Sequence, residues 1–192
     1  MIDSTYYDLG IQTLAGIDEA GRGPVAGPLV VAGVILPMPI FIQGIQDSKK
    51  CSPKERMLLY HLILDEAIKV SIRVVDVKTI DQGNIYRLTQ QAMTEIAHEL
   101  DADFTLTDAM RLNTILPHQA IIKGDQKSIT IGAASIIAKV KRDQIMEGYH
   151  QMFPDYGFDQ HKGYLTQHHQ KMIEKHGPCP VHRMSFAPLK FL

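Results

Sequence analysis

The sequence has only two cysteines in 192 residues, a formal net charge of −1, and no run approaching the roughly eighteen apolar residues that a membrane helix needs. Cys51 and Cys179 lie far apart with no CxxC spacing, which excludes a disulfide framework and a four-cysteine zinc site. Such thiols fit a reducing compartment, and a cytoplasmic location is expected. The opening stretch "MIDSTYYDLGIQTLA" lacks the basic start and apolar core of a signal peptide, so the sequence argues against export or membrane contact. There is no internal repeat, low-complexity tract or Gly/Ser linker, and hence no marked domain boundary. A chain of this length buries most of its apolar surface without covalent staples.

The near-neutral total conceals an uneven distribution. Residues 111–192 hold 11 Lys and Arg against 6 Asp and Glu, together with seven of the nine histidines. A basic lean of this size is most often a solvated face, but it also suits a phosphate backbone. Histidines 161, 168, 169, 176 and 182 lack the spacing and the cysteine partners of a structural zinc site, so none is expected.

Apolar runs at residues 14–19 and 28–36, rich in Val, Ile and Leu and bounded by Gly and Pro, predict buried strands. "SPKERMLLYHLILDEAIK" opens with Ser52, Pro53 and Glu55, the pattern of a capping box, and predicts a helix. A strand at "VSIRVVDV" precedes a second helix, where Ile85, Leu88, Ala92, Ile96 and Leu100 form one stripe behind an Asn84 cap. Two short strands, "ADFTLTDA" and "QAIIKGD", lead into a long helix, "SITIGAASIIAKVKRDQIMEGYH", whose small residues permit close packing on a sheet. Strands alternating with helices predict an α/β layer fold with a helical C-terminal extension after about residue 150.

Within "GIDEAGRGP", Asp18 and Glu19 interrupt an apolar strand, and Arg22 follows between two glycines. Asp108 ends the "FTLTD" strand and Asp125 lies in "KGDQKS", just ahead of the long helix. Strand ends of an open α/β sheet face a crevice, which is where sites assemble. Neighbouring residues on a regular strand point to opposite faces, so Asp18 and Glu19 can share a site only if the strand ends or bulges between them. Carboxylates gathered without cations repel and raise one another's pKa, so the cluster calls for divalent metal, and hard oxygen donors favour Mg2+ or Mn2+ over zinc. Two such ions about 4 Å apart can activate a water on one side of a phosphorus and stabilise the leaving oxygen on the other.

The chain resembles bacterial ribonuclease HII over nearly its whole length. The resemblance rests on "DEAGRGPVAGPLVVAGVIL", "DSKK", "IDQGNI", "KGDQKSITIGAASIIAKVKRD", "FPDYGFDQHKGY" and "HRMSF", which occur in that family's order and spacing. It implies an α/β ribonuclease H-like fold: a central mixed β-sheet flanked by helices over residues 1–150, and a helical extension over 151–192 packed on the same domain. It also implies cleavage of RNA–DNA hybrids and of duplex DNA carrying single ribonucleotides. By position, the family's metal-binding and catalytic acids fall on Asp18, Glu19, Asp108 and Asp125, and the resemblance implies two Mg2+ or Mn2+ ions per site. Gly21, Arg22 and Gly23 match the turn that reads the ribose at the scissile phosphate, with Arg22 holding a phosphate. Tyr164 matches the tyrosine that packs on the following sugar. Lys49 and Lys50 are candidate phosphate-backbone contacts, whereas Lys139, Lys141, Arg142 and Asp143 read as surface charge.

Three residues depart from the family's pattern: Ala109 and Gly132 stand where glycine and alanine are common, and Cys51 where leucine is common. If the turn after Asp108 needs positive φ, Ala109 is strained by about 1 kcal/mol. The expected protein is a monomer acting on RNA–DNA hybrid and ribonucleotide-containing duplex. Its tail, "FAPLKFL", reads as packed on its own domain; docking to a sliding clamp is the alternative reading of it, without further support in the sequence. A nuclease of the same fold with another substrate, of resolvase or integrase type, and a catalytically silent nucleic-acid-binding module are the alternatives.

Overall fold

The structure is a computed structural model and describes residues 1–37, 42, 44–45 and 51–191. Lys49 and Lys50 lie outside the described residues. The first half of the chain runs α1 (Asp3–Asp8), β1 (Leu14–Ala20), β2 (Leu29–Ile35), α2 (Pro53–Glu66), β3 (Lys69–Val75), α3 (Val77–Gln82) and α4 (Ile85–Leu100). The second half runs β4 (Phe104–Asp108), β5 (His118–Ile121), α5 (Gly124–Lys127), α6 (Ile129–Met152), α7 (Phe158–His161) and α8 (Gln167–His176).

The strands form one mixed sheet in the order β3-β2-β1-β4-β5. The loop of residues 21–28 joins β1 to β2, which pair antiparallel, as do β2 and β3. The chain reaches β4 only after crossing the sheet through helices, and a crossover of that kind delivers a parallel partner to β1. β5 is parallel to β4. All seven residues of β2 are buried, as expected of an interior strand covered on both faces.

One face packs Ala15 and Ile17 of β1 and Val31 of β2 against Ala92, Met93 and Ile96 of α4. The other packs Val30, Ala32 and Val34 of β2 against Ala133, Ala134 and Ile137 of α6 and Ile63 of α2. α6 rides directly on β1 at Gly16, where a Cβ would stand 2.1 Å from the Thr130 carbonyl carbon. Only glycine permits that approach, and it sets the helix beside the end of the strand.

The caps explain where the helices begin. Glu55 N–H donates to Ser52 Oγ at 3.3 Å and Ser52 N–H to Glu55 Oε2 at 2.8 Å, closing the capping box expected for α2. Asn84 caps α4, accepting from Arg87 N–H at 3.2 Å. α6 is capped twice: Ser128 Oγ accepts from Ile131 N–H at 3.2 Å, and Asp3 accepts from Ile129 and Thr130 N–H at 2.9 and 3.1 Å.

The structure differs from the sequence reading in several places. α1, α3 and α5 were not expected, and the strand read through residues 119–125 stops at Ile121, so Asp125 sits on α5. Beyond α6, Tyr156, Phe158, Ile173, Val181 and Leu189 share one apolar cluster with Val25, Ala26 and Met146. The tail packs accordingly: Leu189 is buried and Phe186 lies against the same cluster, while Phe191 is exposed. Among the described residues no helix is long and apolar enough to cross a membrane.

Candidate active site

The last parallel pair between β1 and β4 is Ile17 with Thr107. The next residue on each strand is an acid, Asp18 and Asp108. Parallel strands in register present equivalent positions to the same face, so these two carboxylates stand side by side at the carboxyl edge of adjacent strands. Asp18 also shares the face of Gly16, and α6 lies on that face with Ser135 hydrogen-bonded to the Asp18 side chain.

The break anticipated between Asp18 and Glu19 does not occur. β1 keeps its antiparallel register with β2 without a bulge as far as Ala20, opposite Val30. β4 has ended by then, and Asp18 Oδ1 accepts the Glu19 N–H at 2.7 Å. Glu19 reaches the site from the alternate face, with Oε1 accepting from Arg22 Nη1 at 3.1 Å.

Asp18, 6% exposed, has its carboxyl held well above the usual range, first by burial and then by the charges of Glu19 and Asp108. Glu19 is raised as well, by burial above all, with Arg22 pulling the other way and Asp108 adding to the rise. Asp108 Oδ1 accepts the Gly124 N–H at 2.7 Å, which fixes the start of α5 against the end of β4. Asp125, the next residue, is buried beside it. Asp18, Glu19 and Asp108 therefore form one electrostatic unit, and α5 brings Asp125 to its edge.

Among the described residues no three of His, Cys, Asp and Glu already converge as a metal cage. Asp18, Glu19 and Asp108 each accept from a nearby N–H donor, respectively the Glu19 backbone, Arg22 and the Gly124 backbone. The chemistry of the donor set fits a hard divalent cation: all are carboxylate oxygens, and the two whose pKa values are raised, by burial first and by neighbouring carboxylates after it, gain from a cation's charge.

An open cleft of about 430 Å³ lies against this edge. It is lined by Glu19, Gly21, Arg22 and Gly23 from one side, by Ser135, Lys139 and Arg142 of α6, by Arg56 of α2, and by Tyr164. Of the four acids, only Glu19 lines it. Gly23 faces Tyr164, whose Cε1 would be 3.8 Å from a Cβ built there, and Tyr164 is 51% exposed. The turn and the tyrosine thus share one wall-to-wall opening with a carboxylate at its base.

Two buried arginines hold that opening, and the sequence reading gave neither this role. Arg183 donates from Nη2 to Gly21 O at 2.7 Å, from Nη1 to Arg22 O at 3.2 Å and from Nε to Gly27 O at 2.8 Å. Arg142, read as surface charge, is 1% exposed; it donates to Pro28 O, Ala26 O and Lys162 O at 2.8–3.0 Å. Burial depresses both pKa values, Arg183 to about 9. A buried guanidinium is tolerable here because its donors meet carbonyls throughout. Lys139, read as surface charge, is half-buried at the cleft and paired with Asp143 at 2.6 Å. Ala109 has φ 54°, so the turn after Asp108 does require the left-handed region.

Comparison with known proteins agrees with the geometry. The family model described as Ribonuclease HII matches residues 15–189. Ribonuclease HII of Enterococcus faecalis is 48% identical over 186 residues, covering 96% of this chain and 73% of the relative. The ribonuclease HII in a complex with PCNA from Archaeoglobus fulgidus has a TM-score of 0.79 at 27% identity, covering 91% of this chain and 95% of its own. The ribonuclease H2 from Pyrococcus horikoshii gives 0.77 at 25% identity, over 93% and 96%. The chain belongs to the ribonuclease HII family and is an endonuclease of the ribonuclease H type.

Proposed function

We propose that this endonuclease hydrolyses the RNA strand of RNA–DNA hybrids and cuts duplex DNA 5′ to single embedded ribonucleotides, leaving 3′-hydroxyl and 5′-phosphate ends. The observation that carries the reading is the cleft that joins Glu19 to the Gly21-Arg22-Gly23 turn and Tyr164. A catalytic carboxylate and a sugar-reading surface then bear on one phosphodiester.

Asp18, Glu19, Asp108 and Asp125 would hold Mg2+ or Mn2+. Two divalent ions bound by these acids would activate the attacking water and neutralise the leaving 3′ oxygen. The remaining work belongs to the chain. Its turn carbonyls are drawn inward by Arg183, so the N–H groups of Gly21, Arg22 and Gly23 are the donors offered to a ribose, and glycine lets a sugar approach closely. The 2′-hydroxyl, both donor and acceptor, is the group that distinguishes RNA from DNA. Arg22 would exchange Glu19 for a substrate phosphate, and Lys139 and Arg56 add positive charge along the cleft. Tyr164 would pack on the next sugar. Residues 1–150 act as the catalytic body and 151–192 as an extension carrying that tyrosine.

A duplex containing one ribonucleotide, incubated with the protein and Mg2+ or Mn2+, tests the reading when the cut is mapped. Cleavage immediately 5′ to the ribonucleotide supports it. Cleavage at branched or all-DNA duplexes would favour a resolvase-like nuclease, and binding without cleavage a silent module.

A further inference from the structure

Tyr164 owes its place to the backbone beneath it, and that backbone rests on histidines. Tyr164 N–H donates to His161 O at 2.9 Å, and Tyr164 O accepts from Thr166 N–H and lies 2.9 Å from His169 Nδ1. His169 Nε2 lies 2.9 Å from His182 Nε2, and both rings are buried. His161 stacks on His169 with centroids 4.2 Å apart, and Phe158 meets His169 edge-on.

The contacts fix which nitrogens carry protons. A carbonyl can only accept, so His169 bears its proton on Nδ1 and donates to Tyr164 O. Its Nε2 is then an acceptor, and the facing His182 Nε2 must be the donor. That leaves His182 Nδ1 bare, as its other contact requires, because Cys179 N–H donates to it at 2.9 Å. The Cys179 carbonyl is 3.2 Å from the same nitrogen, but the shorter contact is to a group that can only donate. The chain of donors thus runs in one direction, from Cys179 N–H through His182 and His169 to Tyr164 O, with both rings neutral.

We propose that His169, locked in its Nδ1–H tautomer by His182, is a positioning residue for Tyr164 and through it for recognition of a single embedded ribonucleotide. The inference rests on the reading of Tyr164 given above. The His169 Nε2 lone pair is taken by His182 and the His182 Nδ1 lone pair by the Cys179 N–H, so neither ring offers one to a metal. A further proton on His169 falls on Nε2, sets N–H against N–H across 2.9 Å and breaks the chain. Burial holds both rings neutral, with His169 depressed to about 4. The titratable groups acting on His169 are His161, His182 and His168; His161 acts on His182, and His168 and Asp159 act on His161. No carboxylate is among those acting directly on His169 or His182 to offset a second proton.

The test compares rates on a duplex with one ribonucleotide and on a long hybrid, for His169→Leu, His169→Asn and Tyr164→Ala, with melting curves for each. Tyr164→Ala should lower the single-ribonucleotide rate relative to the hybrid rate by about 10- to 1,000-fold. His169→Leu should lower the same ratio by about 5- to 50-fold, and His169→Asn, which keeps a donor at the Nδ1 position, should recover most of it. The wild-type ratio should fall as the pH drops below the ordinary histidine range, while the Tyr164→Ala ratio stays flat. A ratio lost in Tyr164→Ala but kept in His169→Leu overturns the proposal alone. Equal losses on both substrates, for the leucine and asparagine variants alike, make His169 merely structural and overturn it too. A ratio unchanged in Tyr164→Ala removes the reading beneath the proposal and overturns both. If His169→Leu does not fold, nitrogen NMR of the wild type decides: His169 protonated on Nδ1 and His182 on Nε2 supports the proposal, and the reverse pair overturns it.

Discussion

Arg183 Nη2 donates to the carbonyl of Gly21 at 2.7 Å across 162 residues of sequence. Its other two bonds end on Arg22 and Gly27, so one buried side chain determines the course of the turn. Arg183→Met removes all three donors while keeping much of the volume. The expected loss is about 3–5 kcal/mol, because buried carbonyls are left without partners. Denaturant midpoints measure it, and a loss below about 1 kcal/mol would mean that other donors replace the guanidinium.

Asp18→Asn and Asp108→Asn should abolish cleavage without unfolding the protein. In the absence of divalent ions, Asp18→Asn should be the more stable protein near neutral pH, by about 1–3 kcal/mol. Folding raises the pKa of Asp18 and of Glu19, so their contribution to stability is complete below the ordinary carboxylate range and is lost as the pH climbs through the raised values. The advantage of the variant should therefore shrink on acidification towards pH about 4. An advantage that grew in acid would contradict the repulsion described here.

Chelation of divalent ions should stop cleavage and leave the circular dichroism spectrum unchanged, since the core clusters contain none of the four acids. Readdition of Mg2+ or Mn2+ should restore the rate, and a zinc-selective chelator used with excess Mg2+ should do nothing. Cleavage that survives complete removal of Mg2+ and Mn2+ would refute the metal assignment.

Ala109→Gly should stabilise the protein. The left-handed conformation costs an alanine about 1–2 kcal/mol, and glycine returns part of that gain through its freer unfolded chain, leaving about 0.5–1 kcal/mol. Thermal unfolding should shift upward by about 1–4 °C. A lower melting temperature would show that Ala109 makes a packing contact worth more than its strain.

What could be read in the sequence was local. The Ser52 box, the Asn84 cap and the α4 stripe each lie within a few turns of chain, and each formed as read. The acids at positions 18 and 108 were visible because carboxylates next to apolar strands are out of place unless something binds them. The second cap of α6 was hidden because Asp3 reaches it across more than a hundred residues. Arg142 misled for a similar reason: on a helix a charged residue reads as solvated, and only the fold brings three carbonyls around it. α2 shows the converse, since Leu58, Leu62 and Leu64 remain exposed and Ile63 alone is buried.

The two arginines and the histidine pair lie at positions 142–183, whereas the four acids are complete by residue 125. On the proposed reading, synthesis finishes the metal-holding acids first and the supports of the ribose-reading turn and of Tyr164 last. A ribosome that has added Asp125 has made all four of these acids, but the turn waits for Arg183, some sixty residues later, before the carbonyls of Gly21 and Arg22 are tied. The same arrangement puts the supports of the turn and of Tyr164 on a stretch of chain that carries none of the four acids.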